Sequence, residues 1–260
     1  MSKLSITILG SGTSQGVPVI ACDCHVCTSK NAYDKRLRAS ILVNFNGENF
    51  VVDAGPDFRY QMLRANVKSL RGVLFTHEHK DHIGGLDDVR AFNFRESRDM
   101  EVFCTKNVEI ALHREYHYVF SEERYPGIPM ININNIDLLP FELPGGLPVV
   151  PIRVMHYKMP VTAFRFCDFT YITDAKTIED KEIDKIKGTK ILVVNALRLA
   201  EHISHFNLSD ALSLIQKIAP ERAYLTHISH LFGSHDEIKA LLPANVFPAY
   251  DGLTIELEVA

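Results

Sequence analysis

Residues 72 to 86 read GVLFTHEHKDHIGGL, an apolar run that opens directly into four potential metal ligands, His77, His79, Asp81 and His82. No other stretch constrains the fold as strongly. The apolar run predicts a strand and the residues after the glycine pair predict a helix. Ligands on the intervening loop can be aimed at one point only if a sheet holds the strand end still. Imidazole suits zinc, iron and manganese, and a carboxylate extends the choice to harder divalent ions. The competing reading is a solvated, histidine-rich loop with no metal at all.

Strand-like segments recur on both sides of this stretch. LSITILG (4–10) alternates and is rich in β-branched residues before it enters the glycine-rich GSGTSQGVP, whose glycine spacing does not fit a dinucleotide-binding loop. ASILVNF and NFVVDAG flank Asn46-Gly47, a hairpin signal. MEVFC, LPVVPIRV, TAFRF, FTYIT, KILVVNAL, RAYLTHI and LTIELEV predict further strands. GGLDDVRAFNF, NVEIALHREYHYVF, TIEDKEIDKI and LSDALSLIQKIA carry helical patterns. Because strands come in meander-like runs with helices interspersed, the expected class is α/β (α+β), two mixed β-sheets flanked by helices. The segment 126–151, rich in proline, glycine and asparagine, predicts a surface loop or a strand-bearing excursion.

At 260 residues, 46% hydrophobic and 23% charged, the chain suits one domain spanning 1–260. No run of eighteen apolar residues and no signal-peptide core occur, so no membrane association and a cytoplasmic location are expected. A net charge of −4 without long basic runs argues against strong nucleic-acid binding. A homodimer is expected from base rates alone.

In a reducing compartment the five cysteines are better read as metal ligands or buried thiols than as disulfides. Cys22, Cys24 and Cys27 crowd into ACDCHVCTSK, three thiolates short of a closed tetrahedral zinc site by one ligand. Cys104 and Cys167 stand singly on apolar runs, which predicts inert, buried thiols. His25 is too near in sequence to close the site easily, and His113 and His117, spaced i, i+4, are expected on one helical face as surface or packing residues.

HEHKDH matches in full the His-x-His-x-Asp-His signature of the metallo-β-lactamase fold superfamily, and the chain resembles that superfamily throughout. The resemblance implies a four-layer αββα sandwich and a two-metal site. His77 and His79 would hold one ion, Asp81 and His82 the second. His156 in PIRVMHY and His227 in AYLTHISH would complete the set, and Asp174 in TYITDA would bridge both ions. Asp53 in FVVDAGPD would orient a ligand histidine rather than bind metal.

The cysteine cluster after GVP, together with LTHISH, resembles more narrowly the phosphoribosyl 1,2-cyclic phosphate phosphodiesterase (PhnP)-like group. That likeness implies a structural zinc closed by His230 and catalytic metals that are manganese, zinc or iron. It also implies a small, perhaps cyclic, phosphodiester as substrate. His205, ahead of its neighbour His202, would be the general acid, and His205 and Asp81 are the expected catalytic residues. Three other functions occur among similar proteins: tRNA 3′-end cleavage, a non-hydrolytic role of the PQQ biosynthesis protein B type, and glyoxalase-II-like thioester hydrolysis. Fold alone does not choose among them.

Overall fold

Asn46 and Gly47 close a two-residue hairpin, both with positive φ (51° and 89°), the backbone this tight turn requires and which this residue pair adopts readily. The computed structural model describes residues 2–123 and 125–259. Residues 1 and 260, the limits of the expected domain, lie outside the described residues. The hairpin joins β2 (Ser40–Phe45) to β3 (Glu48–Val52) in a sheet that also holds β1 (Ser2–Gly10), β4 (Gly72–Leu74), β5 (Met100–Cys104) and β6 (Ile131–Asn135).

A second sheet is built from β7 (Phe141–Leu143), β8 (Leu147–His156), β9 (Met159–Phe166), β10 (Phe169–Ile172), β11 (Thr177–Ile178), β12 (Ile191–Asn195), β13 (Arg222–Thr226) and β14 (Val246–Pro248). Strand β15 (Thr254–Val259) returns to the first sheet beside β1. The strand orders are β15-β1-β2-β3-β4-β5-β6 and β11-β8-β9-β10-β12-β13-β14, with β7 paired to β8.

Each sheet changes from antiparallel to parallel pairing partway across: at β3–β4 in the first and at β10–β12 in the second. The parallel strands send their C-terminal ends to one side, where crossover loops can carry functional groups.

Period-two alternation sorts side chains into three apolar layers. Ile6, Ile41, Phe50 and Leu74 face Phe164, Tyr171 and Val193 between the sheets. Val51, Val73 and Val102 face outward onto α1 (Phe58–Arg64), α3 (Arg90–Glu96) and α4 (Lys106–Glu115), while the short α2 (Lys80–Ile83) follows the histidine motif. On the far side Val154, Leu192 and Leu225 meet α6 (Asp180–Asp184), α7 (Leu208–Ile218) and α8 (His235–Ala240). The four-layer αββα arrangement is therefore present.

Some expectations need correction. The helical face shared by His113 and His117 is broken at Tyr116, because α4 ends at Glu115 and α5 covers His117–Phe120. Cys167 sits not within a strand but in the turn between β9 and β10, with φ 53°. Segment 126–151 carries β6, β7 and the start of β8, so it is the strand-bearing excursion. Among the described residues no helix is long and apolar enough to cross a membrane.

Candidate metal centre

Strand ends of both sheets deliver the polar groups. Asp53 follows β3, His77 and His79 follow β4, His156 ends β8, Asp174 follows β10 and His227 follows β13. Asp53, Asp174 and His227 hold left-handed backbone (φ 66°, 56° and 56°), a conformation that costs a non-glycine residue roughly 1–3 kcal/mol and gathers at functional sites. The Thr162 amide in β9 donates to the Thr76 carbonyl at 2.9 Å, binding the two sheets together beside the motif. Gly55 lets its loop lie flat on the motif: a Cβ there would stand 2.0 Å from the Asp81 carbonyl oxygen.

Hydrogen bonds fix which imidazole nitrogens face inward. His82 Nδ1 donates to Asp53 Oδ2 at 2.7 Å. Thr76 Oγ1 donates to the same carboxylate at 2.9 Å, so its contact with His77 Nδ1, also 2.9 Å, must have the imidazole as donor. His156 Nδ1 donates to the Asp174 carbonyl at 3.1 Å. In these three histidines Nε2 is therefore left for another partner.

For two of them, among the described residues, no such partner occurs. Buried Nε2 of His77 and His82, and both nitrogens of buried His227, make no hydrogen bond. His82 Nε2 does lie 3.1 Å from Asp81 and 3.2 Å from Asp174, but these are close charge contacts without hydrogen-bond geometry. An unmet buried polar atom costs on the order of 1–3 kcal/mol, so several in one place call for a bound group.

Asp174 lies at the middle. Its Oδ1 is 3.1 Å from His205 Nε2 and 3.2 Å from His227 Nε2, and its Oδ2 accepts from Thr173 Oγ1 at 2.6 Å. The rings form a circuit, His77–His79–His156–His205–His227–His82, with centroid separations of 4.1 to 6.3 Å. Donor atoms of Asp81, His82, Asp174 and His227 lie within 4.8 Å of one another, as do those of His156, Asp174 and His205. The donors of His77 and His79 join neither group, although the rings of both adjoin that of His156, at 6.0 and 5.2 Å.

The electrostatics suit a cation. Burial pushes the Asp174 carboxyl up, but His227 and His82 outweigh it and hold it well below its ordinary value. Burial likewise opposes charge on His82, yet Asp53, Asp174 and Asp81 raise its pKa well above the usual imidazole range. Burial keeps His77 neutral by lowering its pKa. Ionised carboxylates beside the neutral His77 imidazole are forms that bind divalent metals, and the three carboxylates that raise His82 would equally draw in a cation that displaces its proton, so the donor set fits such ions.

A separate cluster surrounds His230. Its Nδ1 is 3.3 Å from Cys22 Sγ, 3.4 Å from Cys24 Sγ and 3.5 Å from Cys27 Sγ, and no cysteine is in a disulfide. The Cys27 amide, donating to Cys24 Sγ at 3.4 Å, lowers that thiol to about 6, with help from His230. Burial pushes Cys27 up to about 11. Three sulfurs around one imidazole nitrogen suit tetrahedral zinc. His25 takes no part and pairs with Glu237 at 3.0 Å.

Other contributors were not anticipated from sequence. Thr76, Thr173 and Thr226, each buried and each immediately before a predicted ligand, line the centre. Their signal was available in LFTH, YITD and YLTH, the same Thr-ligand pair at three strand ends. Ser204 Oγ lies 3.1 Å from His205 Nδ1, and His202 Nδ1 lies 3.2 Å from it.

The family described as "Beta-lactamase superfamily domain" matches residues 48–228. An octanoyltransferase of Porphyromonas gingivalis is 39% identical over 249 residues, covering 95% of this chain but only 50% of that protein, so the chain spans half the length of this relative. The crystal structure of a diphosphatase from the PhnP family superposes with a TM-score of 0.92 at 34% identity, covering 99% of this chain and 98% of the other. Zinc-bound PqqB from Methylobacterium extorquens superposes at 0.78 with 20% identity over 97% and 100% of the two chains, a likeness of fold. On this evidence the chain belongs to the β-lactamase superfamily, with the metallo-β-lactamase fold and a PhnP-like relationship.

Proposed function

We propose that this protein is a metal-dependent hydrolase of small, including cyclic, phosphodiesters. The observation that carries the reading is the convergence of two donor groups on Asp174, with His205 Nε2 at 3.1 Å from the same carboxylate. His77, His79 and His156 would hold one divalent ion, Asp81, His82 and His227 the other, and Asp174 would serve both. Manganese, zinc and iron all accept this donor set. Ions bound there supply an activated water and offset charge on the phosphoryl oxygens.

The chain's own residues do the rest. Asp53 and Thr76 keep His82 and His77 in the tautomers that present Nε2. His205, only 12% exposed in its side chain, has its pKa lowered to about 4 by burial against the opposing hydrogen bond to Asp174, and as the general acid it would give a proton to the departing alkoxide. Cys22, Cys24, Cys27 and His230 would hold a structural zinc, which would fasten the N-terminal loop to the strand end bearing His227.

His205→Ala tests the assignment. Metal content should be unchanged, while turnover falls by roughly 10²–10⁴-fold, most with poor leaving groups that need protonation. If metal content falls together with activity, His205 is a ligand and its role as acid is wrong. A second reading is favoured by the diphosphatase at 34% identity: a diphosphate bond cleaved by the same residues. A phosphate leaving group needs less protonation, so His205→Ala would then cost far less.

A further inference from the structure

A second hollow, of about 340 Å³, lies against edge strand β14, outside the metal cluster. Tyr33, Tyr224, Tyr250, His235, Arg222 and Lys239 line it, and no carboxylate does, although the chain as a whole is acidic. The rings make a continuous aromatic wall: Tyr33 stands 4.4 Å from Tyr250 and 4.9 Å from His235 between centroids, and His235 meets Tyr250 edge-on at 6.0 Å.

The polar groups of this hollow are largely unspent. His235 is 8% exposed and its buried Nδ1 has no hydrogen-bond partner, while its backbone amide is held by Asp34 Oδ1 at 2.6 Å. Among the described residues the side chains of Arg222 and Lys239 have no ion pair or hydrogen bond, and the three tyrosine hydroxyls have no hydrogen bond. Loop residues 29 to 34 and the start of α8 are tied together through Asp34, which also accepts from Ser29 Oγ at 2.6 Å, so the wall is braced.

Stacking surface and two unpaired cations together select a planar ring that carries an anionic group. We infer that this hollow is a binding site for a nucleoside monophosphate, the base lying on Tyr33 and Tyr250 and the phosphate meeting Arg222 and Lys239. Its volume falls within the range of small-molecule sites. Arg222 opens β13 and His227 follows its end, some five residues or ~16 Å along the strand, so the site is distinct from the metal centre. The inference does not depend on the hydrolytic reading.

Calorimetric titration of the metal-loaded protein with AMP, adenosine and inorganic phosphate tests it. AMP should bind more tightly than adenosine or phosphate alone. Tyr33→Ala and Lys239→Glu, both at exposed positions, should each weaken AMP by about tenfold, as expected for loss of one stacking or charge contact. Asp174→Asn should leave in place the AMP binding event that Tyr33→Ala and Lys239→Glu weaken. Absence of AMP binding, or binding lost in Asp174→Asn but kept in Tyr33→Ala and Lys239→Glu, would overturn the proposal.

Discussion

Asp53 shows how one carboxylate governs two ligands, accepting from His82 Nδ1 and, through the Thr76 hydroxyl, setting the tautomer of His77. Asp53→Ala should reduce metal affinity by about 10–100-fold, read by titration of metal into chelator-treated protein; unchanged affinity would mean that the imidazoles are oriented by packing alone. The cysteine site has a different residue-scale signature. With Cys24 lowered to about 6, it is a thiolate at neutral pH, whereas Cys27, pushed up to about 11 by burial, is a thiol. In chelated protein at pH 7, iodoacetamide should label Cys24 well before Cys27, and labelling of Cys24 should fall as pH drops through about 6. Equal labelling rates by mass spectrometry would contradict this.

At the scale of elements, the site depends on two loops packed without space between them. Gly55→Ala would drive a methyl group into the Asp81 carbonyl. It should cost roughly 1–3 kcal/mol in thermal unfolding and displace the motif from Asp53. Cys24→Ser should remove one zinc per chain and lower Tm by several degrees while two metals remain; loss of the other two with this one retained would contradict the division of sites. The strands and the long helices were legible because alternation and 3.6-residue periodicity are local. The polar edge strand ININN and the three-residue β7 were not, since pairing with β5 and β8 defines them. Helix α8 was missed although Ser234 and Glu237 form a capping box, because only six residues follow the cap. The ligands were legible one motif at a time, but bringing Asp174 from one sheet against His82 from the other is a matter of tertiary packing that no local pattern encodes.

Across the whole molecule, two sheets with matching antiparallel-to-parallel transitions meet so that their strand ends share one polar centre. A third fixture, the cysteine cluster, ties the first loop to the exit of β13. A groove of about 280 Å³ between α1 and α3, lined by apolar residues such as Phe58 and Phe92 and by the charged Arg59, Lys68, Asp88 and Arg95, contains none of the clustered histidines. We propose that the shared centre hydrolyses phosphodiesters when metal is bound. Its most direct test is the turnover of bis(p-nitrophenyl) phosphate and ribose cyclic phosphates as manganese or zinc is titrated into chelated protein. Hydrolysis should rise with metal occupancy and be absent in Asp174→Asn. Fully loaded protein that cleaves none of these diesters would contradict the proposal.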